Sequence, residues 1–373
     1  VSSEEIIVVG AGAIGASSAW RLAQDGHAVT LIDDPGAAPA SDVAAGMLAP
    51  VTEAEFGEEK LLTLNLRSME MYDAFVEELC EVTGLDVGYR RCGTLMVARD
   101  GDDMRALGEV LGYQQRLGLQ VARWSPREMR AAEPVLSPRI RGGISVTGDH
   151  QIDPSALLAA LLAACDSAGV ERLRDRAMDV EQNETGVKIR TESGRILSCD
   201  QVVFAAGSYT GRIGGIDGSV PVRPVKGQLL QLRGRPGMPL PSANIRGIDV
   251  YMVTRADGRV VVGATVEEQG FDTTLTAGAV HDLLRDAYEL WPGVVELEFV
   301  MARAGLRPAT PDNAPAIGRL GERVVVAAGH YRHGILLTPV TAAAVAEIVG
   351  GGAPEWAADF DPHRFENATR TAR

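Results

Sequence analysis

Ile6-Ile-Val-Val-Gly10-Ala-Gly-Ala-Ile-Gly15 decides the fold, together with the helical run to Gln24 and the segment Ala28 to Ile32 that ends in Asp33-Asp34. Ile6 to Val9 has the length and composition of a buried strand. Gly10-X-Gly12-X-X-Gly15 then opens a helix, the context in which this spacing signals a dinucleotide site. Gly10 permits a tight turn, Gly12 lets backbone approach a pyrophosphate, and Gly15 lets helix and strand pack closely. The helix N-terminus, with Ile14 in its first turn, aims free N–H groups and partial positive charge at the phosphates. Asp33 ends the second strand, where a carboxylate accepts hydrogen bonds from ribose hydroxyls. Asp34 is the alternative, because strand ends read from sequence shift by a residue.

Bulk properties bound the rest. The 373 residues exceed one small core and favour two connected domains. Hydrophobic residues make up 46% and charged residues 23%, ordinary for a globular protein. A net charge of −14 argues against a nucleic-acid partner, which requires surplus Lys and Arg, and leaves an anionic small substrate open. The longest apolar run, Ala156 to Cys165, falls short of the roughly 20 residues that span a bilayer, so no membrane partner is expected. No basic leader with an apolar core and cleavage site opens the chain. The four cysteines, Cys80, Cys92, Cys165 and Cys199, form no CxxC pair, which fits a cytoplasmic protein without disulfides or metal.

Along the chain, Lys60 to Thr83 carries apolar residues at helical spacing and is closed by Gly84. Gly93 to Arg99 reads as a strand, Ser125-Pro-Arg-Glu128 as a capped helix start, and Asp153-Pro154 as the opening of a helix to about Ala168. Short strands follow around Val187–Arg190 and Arg195–Leu197. Gly227 to Leu232, Asp249 to Thr254 and Arg259 to Ala264 alternate like strands of an antiparallel sheet. Ala277 to Leu290 is a helix, Val324 to Ala328 a buried strand, and a final helix runs from just after Gly329 to about Val349. The polar tail after His363 is expected to fray. Nucleotide-type units at both ends and in the middle imply an α/β fold of discontinuous domains. A Rossmann-like dinucleotide domain takes 1–50, 150–215 and 304–373; a second domain, built on an antiparallel sheet, takes 51–149 and 216–303.

The glycine pattern alone does not choose between NAD and FAD. Two later segments do. Val202-Val-Phe-Ala-Ala206-Gly207-Ser is a buried strand ending in small residues that pass beneath a nucleotide. Ala327-Ala-Gly-His330-Tyr-Arg-His333-Gly334-Ile335-Leu336-Leu is a strand-to-helix junction able to direct N–H groups at a flavin. A cofactor touched from the beginning, middle and end of a chain points to FAD.

With these residues in place, the chain resembles the glycine oxidase and D-amino-acid oxidase family of flavoproteins, most closely its glycine-oxidase branch in thiamine biosynthesis. The resemblance runs from Ile6 to about Phe365. It is carried by Val9-Gly-Ala-Gly-Ala-Ile-Gly15, Ala44-Ala45-Gly46-Met47-Leu48-Ala49, Pro224-Val-Lys-Gly-Gln228, Tyr251-Met-Val-Thr-Arg255, Val261-Val-Gly-Ala-Thr265, Ala304-Gly-Leu-Arg307-Pro308 and Gly329 to Leu337. His333 stands where relatives commonly carry Asn, and Thr254 where proline is common.

The resemblance implies non-covalent FAD, since no cysteine lies beyond Cys199, and oxidation of glycine or another small amino acid with O2 returning as H2O2. It also implies a homo-oligomer, often a tetramer. Arg307 is implied to clamp the substrate carboxylate, which a guanidinium does through paired charge-assisted hydrogen bonds. Tyr251 is implied to donate to the same group, Arg332 to hold the substrate from the start of the last helix, and the Ala49 carbonyl to accept the amine. Ala44 to Leu48 line the flavin, and His330 and His333 are structural or cofactor contacts. No acid–base residue is expected, because oriented transfer to a cofactor needs alignment more than proton chemistry. Lys226 reads as a solvated strand face outside the site. The rival readings are a broader D-amino-acid or secondary-amine oxidase, a dehydrogenase using a carrier other than O2, and a flavin-binding protein that does not turn over.

Overall fold

The computed structural model describes residues 3–37, 39–184, 186–216 and 218–366. Its first sheet has six strands, in the order Ala316–Arg319, Val324–Ala328, Gln201–Phe204, Glu5–Val9, Ala28–Asp33, Glu171–Arg174. All pair in parallel except the hairpin at the Ala316–Arg319 edge. Ile6 and Val8 face one side, packed with the helices Ala13–Gln24, Glu59–Thr83, Pro154–Ser167 and Thr338–Val349. Ile7 and Val9 face the other, against a three-stranded sheet of Ala177–Asn183, Gly186–Thr191 and Ile196–Cys199. Burial on both faces explains why these strands read as unbroken apolar runs.

The second sheet has eight strands, in the order Glu298–Ala309, Arg223–Arg233, Arg259–Gly263, Tyr251–Thr254, Asn244–Arg246, Thr94–Ala98, Gly142–Val146, Val121–Trp124. One face is covered by the helix Ala277–Leu290 and residues around Met129 and Trp291. Leu229, Val253 and Val261 on the opposite face pack on Ala45, and so meet the segment that leaves the first sheet. A two-stranded ribbon, Met47–Leu48 with His150–Gln151, lies at this junction.

Local signals act as expected at several termini. Gly84 closes its helix at φ 69°, Ser125 and Glu128 form a reciprocal capping box, and the Asp153 carboxylate accepts from the Ser155 and Ala156 N–H groups.

The strand Glu298–Ala309 runs through residue 304. Three expectations are corrected. The second sheet is not wholly antiparallel: Thr94–Ala98 and Asn244–Arg246, far apart in the chain, pair in parallel. The last helix starts at Thr338, not after Gly329, because Tyr331 holds a left-handed φ of 48° and Pro339 marks the true first turn. Residues 362–365 form a helical turn with Phe365 buried, so the polar tail is docked there, and 367–373 lie outside the described residues.

The strand Gly142–Val146 and the helix Gly101–Arg116 escaped the sequence reading. Gly143 shows why: a Cβ there would sit 1.8 Å from the Met96 carbonyl, a strand approach invisible without its partner. Gly15 is equally tight, since a Cβ would lie 1.7 Å from the Gly10 carbonyl. Gly15→Ala is expected to push the first helix off the first strand, lowering stability by roughly 1–3 kcal/mol and releasing the cofactor. Thermal unfolding and the flavin content of the purified protein measure both effects.

Candidate active site

A cavity of about 940 Å³ runs between the first sheet's carboxyl ends and the second sheet, at the upper end of the usual range for ligand pockets. Gly10, Gly12 and Ile14 line one end, and Gly15 lies beneath them as a packing residue. Gly10, at φ 107°, comes so close to the Ala205 carbonyl that a Cβ would be 2.4 Å away. Ala206 and Gly207 line the same end from the neighbouring strand. Ser41 Oγ accepts the Ala13 N–H at 3.0 Å, occupying one donor of the first helical turn.

The two candidate acids separate here. Asp34 is ion-paired with Arg176 at 2.7 Å and accepts the Gly36 N–H at 2.8 Å. Asp33 lines the cavity with no partner for its carboxylate among the described residues.

Ala44, Ala45, Gly46 and Met47 form the cavity's middle wall. Gly46 has φ 73°, and its Cβ would lie 2.0 Å from the Ile152 carbonyl. Arg255, 5% exposed, donates to Gln151 Oε1 at 2.8 Å and to the Ala45 carbonyl. Burial pulls its pKa down to about 10. Leu48 and Ala49 are turned away from the cavity, at 0% and 3% exposure. The Ala49 carbonyl accepts the Glu53 N–H at 3.3 Å. Ala49, expected to receive a substrate amine at its carbonyl, thus lies outside the cavity lining.

His330, Gly334 and Ile335 line the far end; His333 and Leu336 lie behind them. Ser68 Oγ donates to the Leu336 carbonyl at 2.6 Å and the Tyr72 hydroxyl to that of Ile335, so the turn's carbonyls are directed into the protein.

At this end Tyr251 and Arg307 face each other across two glycines. A Cβ on Gly263 would strike the Tyr251 hydroxyl at 2.5 Å, and one on Gly227 would strike the Arg307 guanidinium at 2.4 Å. Burial pushes the Tyr251 phenol up, and the Arg307 charge beside it pulls the other way. Arg307 Nη1 donates to the Thr265 carbonyl at 3.0 Å. Among Arg246, Arg307 and Arg332, only Arg307 has no carboxylate partner among the described residues.

Arg332 lines the cavity with its donors already engaged, at 2.8 Å to Glu55, 2.9 Å to Glu58 and 3.6 Å to Glu53. Burial opposes its charge, but the three carboxylates prevail and hold its pKa above the ordinary value. Its three carboxylate partners come from the facing segment Glu53 to Glu58, and the turn that carries it precedes the helix instead of opening it.

Sequence reading missed Glu53 and Arg246, which line the cavity as an ion pair at 2.8 Å. Arg246 pairs across the strands with Tyr251, a register no spacing announces. Glu53 sits in a run, Glu53-Ala-Glu55-Phe-Gly-Glu58, that reads as a solvated acidic loop. Buried Asp149 holds the start of this loop, accepting from Val51 N at 3.1 Å and from Thr52 Oγ1 at 2.6 Å.

A family model described as "DAO: FAD dependent oxidoreductase" matches residues 5–348. The chain belongs to the DAO family of FAD-dependent oxidoreductases. It is 32% identical over 353 residues to the bifunctional protein ThiO/ThiG of Trichormus variabilis, covering 93% of this chain but only 53% of that protein. The chain thus spans about half the length of these two-part relatives. It is 33% identical to the glycine oxidase of Geobacillus kaustophilus, with 92% of each chain covered. The crystal structure of that enzyme superposes with a TM-score of 0.90, covering 98% of this chain and 99% of the other.

The cofactor of this DAO-family chain is FAD, and the site accommodates it. Gly10 and Gly46 let the segments that wall the cavity pack directly on the Ala205 and Ile152 carbonyls, and the cavity reaches continuously from Asp33 to Tyr251. No helix among the described residues is long and apolar enough to cross a membrane, and no group of three or more potential metal ligands occurs among them.

Burial pushes His330 down to about 3 and His333 to about 4, from 6.5. Both imidazoles stay neutral in the folded chain while the unfolded chain protonates them below 6.5. Their contribution to stability is therefore complete above pH 6.5 and is lost as pH falls toward 4. Thermal unfolding of the holoenzyme is expected to show this acid slope, and His333→Gln to flatten it.

Proposed function

We propose that this DAO-family flavoprotein oxidises glycine to its imine, passing the electrons to O2 to give H2O2, and that the imine feeds thiazole formation in thiamine synthesis. The observation that carries the reading is the unpaired Arg307 guanidinium beside the Tyr251 hydroxyl, at the cavity end away from Asp33. A half-buried cation facing a cavity without a carboxylate favours an anionic ligand, and a small amino acid brings one. The similarity to proteins named glycine oxidase and ThiO/ThiG supports the choice of amino acid and pathway.

In this reading Arg307 and Tyr251 bind and orient the carboxylate, which fixes the rest of so small a substrate. FAD supplies the two-electron acceptor. Residues around Ala45, Met47 and Ile335 close the cavity with apolar surface and keep water from the reacting carbon. No histidine of the site serves as an acid, because His330 and His333 are held neutral. His330 Nε2 is hydrogen-bonded to Thr341 Oγ1 at 3.0 Å, which marks it as structural.

Anaerobic glycine is expected to bleach the visible flavin band, with colour and peroxide returning on admission of air. Bleaching by sarcosine, D-alanine or D-proline but not by glycine would replace the substrate while keeping the site. Arg307→Ala is expected to retain FAD and to lower kcat/KM for glycine by roughly 100- to 1000-fold, the cost of losing one partner of a buried charge pair. Loss of FAD from that variant would remove Arg307 from its assigned role.

A further inference from the structure

Lys226 contradicts its sequence reading as a solvated residue: its side chain is 1% exposed. It lies on the strand Arg223–Arg233, next to the strand that carries Arg307. A buried ammonium requires counter-charge, and Lys226 Nζ lies 3.6 Å from Glu267 Oε2 and 3.5 Å from Asp272 Oδ2. Glu267 is otherwise tied into the same corner. It accepts from Thr265 Oγ1 at 2.6 Å and from Gln228 Nε2 at 2.8 Å. Reciprocal backbone bonds join Lys226 and Glu267 at 2.9 and 3.0 Å.

Thr265 links this corner to the site. Its carbonyl accepts Arg307 Nη1 at 3.0 Å while its hydroxyl donates to Glu267, and the Lys226 carbonyl lies 3.4 Å from the same Arg307 nitrogen. The guanidinium that lacks a carboxylate is therefore separated from Glu267 by a single residue that both contact. Carboxylate and guanidinium attract strongly where water is excluded, and their paired geometry is the preferred one. Something must keep Glu267 from becoming the partner of Arg307.

We propose that Lys226 is a positioning residue that engages Glu267 and so reserves Arg307 for the substrate carboxylate. The inference rests on the reading of Arg307 as the carboxylate clamp. It gives the buried ammonium a role in binding beyond stability: it sets which anion the clamp meets.

The test uses holoenzymes of the wild type, Lys226→Met, Glu267→Gln, the double variant, and Arg307→Met as reference. Glycine KM and kcat are measured by peroxide release. Affinity for acetate, an unreactive carboxylate, is measured by perturbation of the flavin spectrum. Lys226→Met is expected to retain FAD, to raise glycine KM and acetate Kd about tenfold or more, and to change kcat less. Adding Glu267→Gln is expected to recover most of that loss, because the competing anion is gone. A Lys226→Met protein with both constants within about twofold of wild type, or a double variant as impaired as Lys226→Met, would overturn the proposal. If Lys226→Met does not accumulate as folded holoenzyme, Lys226→Gln, which keeps a polar group in the corner, carries the same comparison. Raised KM in Arg307→Met without the Lys226 pattern defeats only the positioning role. Unchanged KM in Arg307→Met defeats the clamp itself.

Discussion

Arg255 lies where the two sheets of this flavoprotein meet, and its buried guanidinium joins them. One donor reaches Gln151, on the small ribbon at the junction, and another reaches the Ala45 carbonyl, in the segment that walls the cavity. Hydrogen bonds from a charged group contribute about 1.5–3 kcal/mol each, and leaving such a donor buried without its acceptor costs at least as much. The wall from Ala44 to Met47 therefore has one favourable position relative to the second sheet. The space between them, with Asp33 at one end and Tyr251 at the other, follows from that position.

Within that space the protein treats its cations differently. Arg332 and Arg246 are matched by Glu53, Glu55 and Glu58, so they contribute shape and order more than free charge. Lys226 is matched by Glu267 and Asp272 in a corner away from the cavity. Arg307 has carbonyl oxygens but no carboxylate. For the proposed substrate, a zwitterion of a few atoms, this economy matters, because one misdirected side chain would either fill the volume or neutralise Arg307. Gly227 and Gly263 serve the same end on the steric side, leaving room for a guanidinium and a phenol to face each other across a sheet.

Much of the secondary structure was legible because its cues are local. Gly10-X-Gly12-X-X-Gly15 with its flanking strands, the Gly84 stop, the Ser125 capping box and the Asp153 cap all act within a few residues. The last helix was misplaced because Gly329 looked like a boundary, whereas Tyr331 in a left-handed conformation and Pro339 move the true start to Thr338. The parallel pairing of Thr94–Ala98 with Asn244–Arg246 joins segments about 150 residues apart, and nothing in either segment names the other.

What the sequence by itself determined is the family, its FAD cofactor, and the residues Tyr251 and Arg307 at the end of the cavity, since fixed glycine spacings and recurring segments carry that information along the chain. What only the tertiary structure decided is which charges are spent and which are free. It set Asp33 apart from Asp34, placed Ala49 outside the cavity lining, paired Arg332 with three glutamates, brought in Glu53 and Arg246, and buried Lys226 beside Glu267 and Asp272. The physical reason is range. Strand, turn and cap preferences are settled by neighbours in sequence, whereas the state of a charge depends on whatever the fold places within a few ångströms of it.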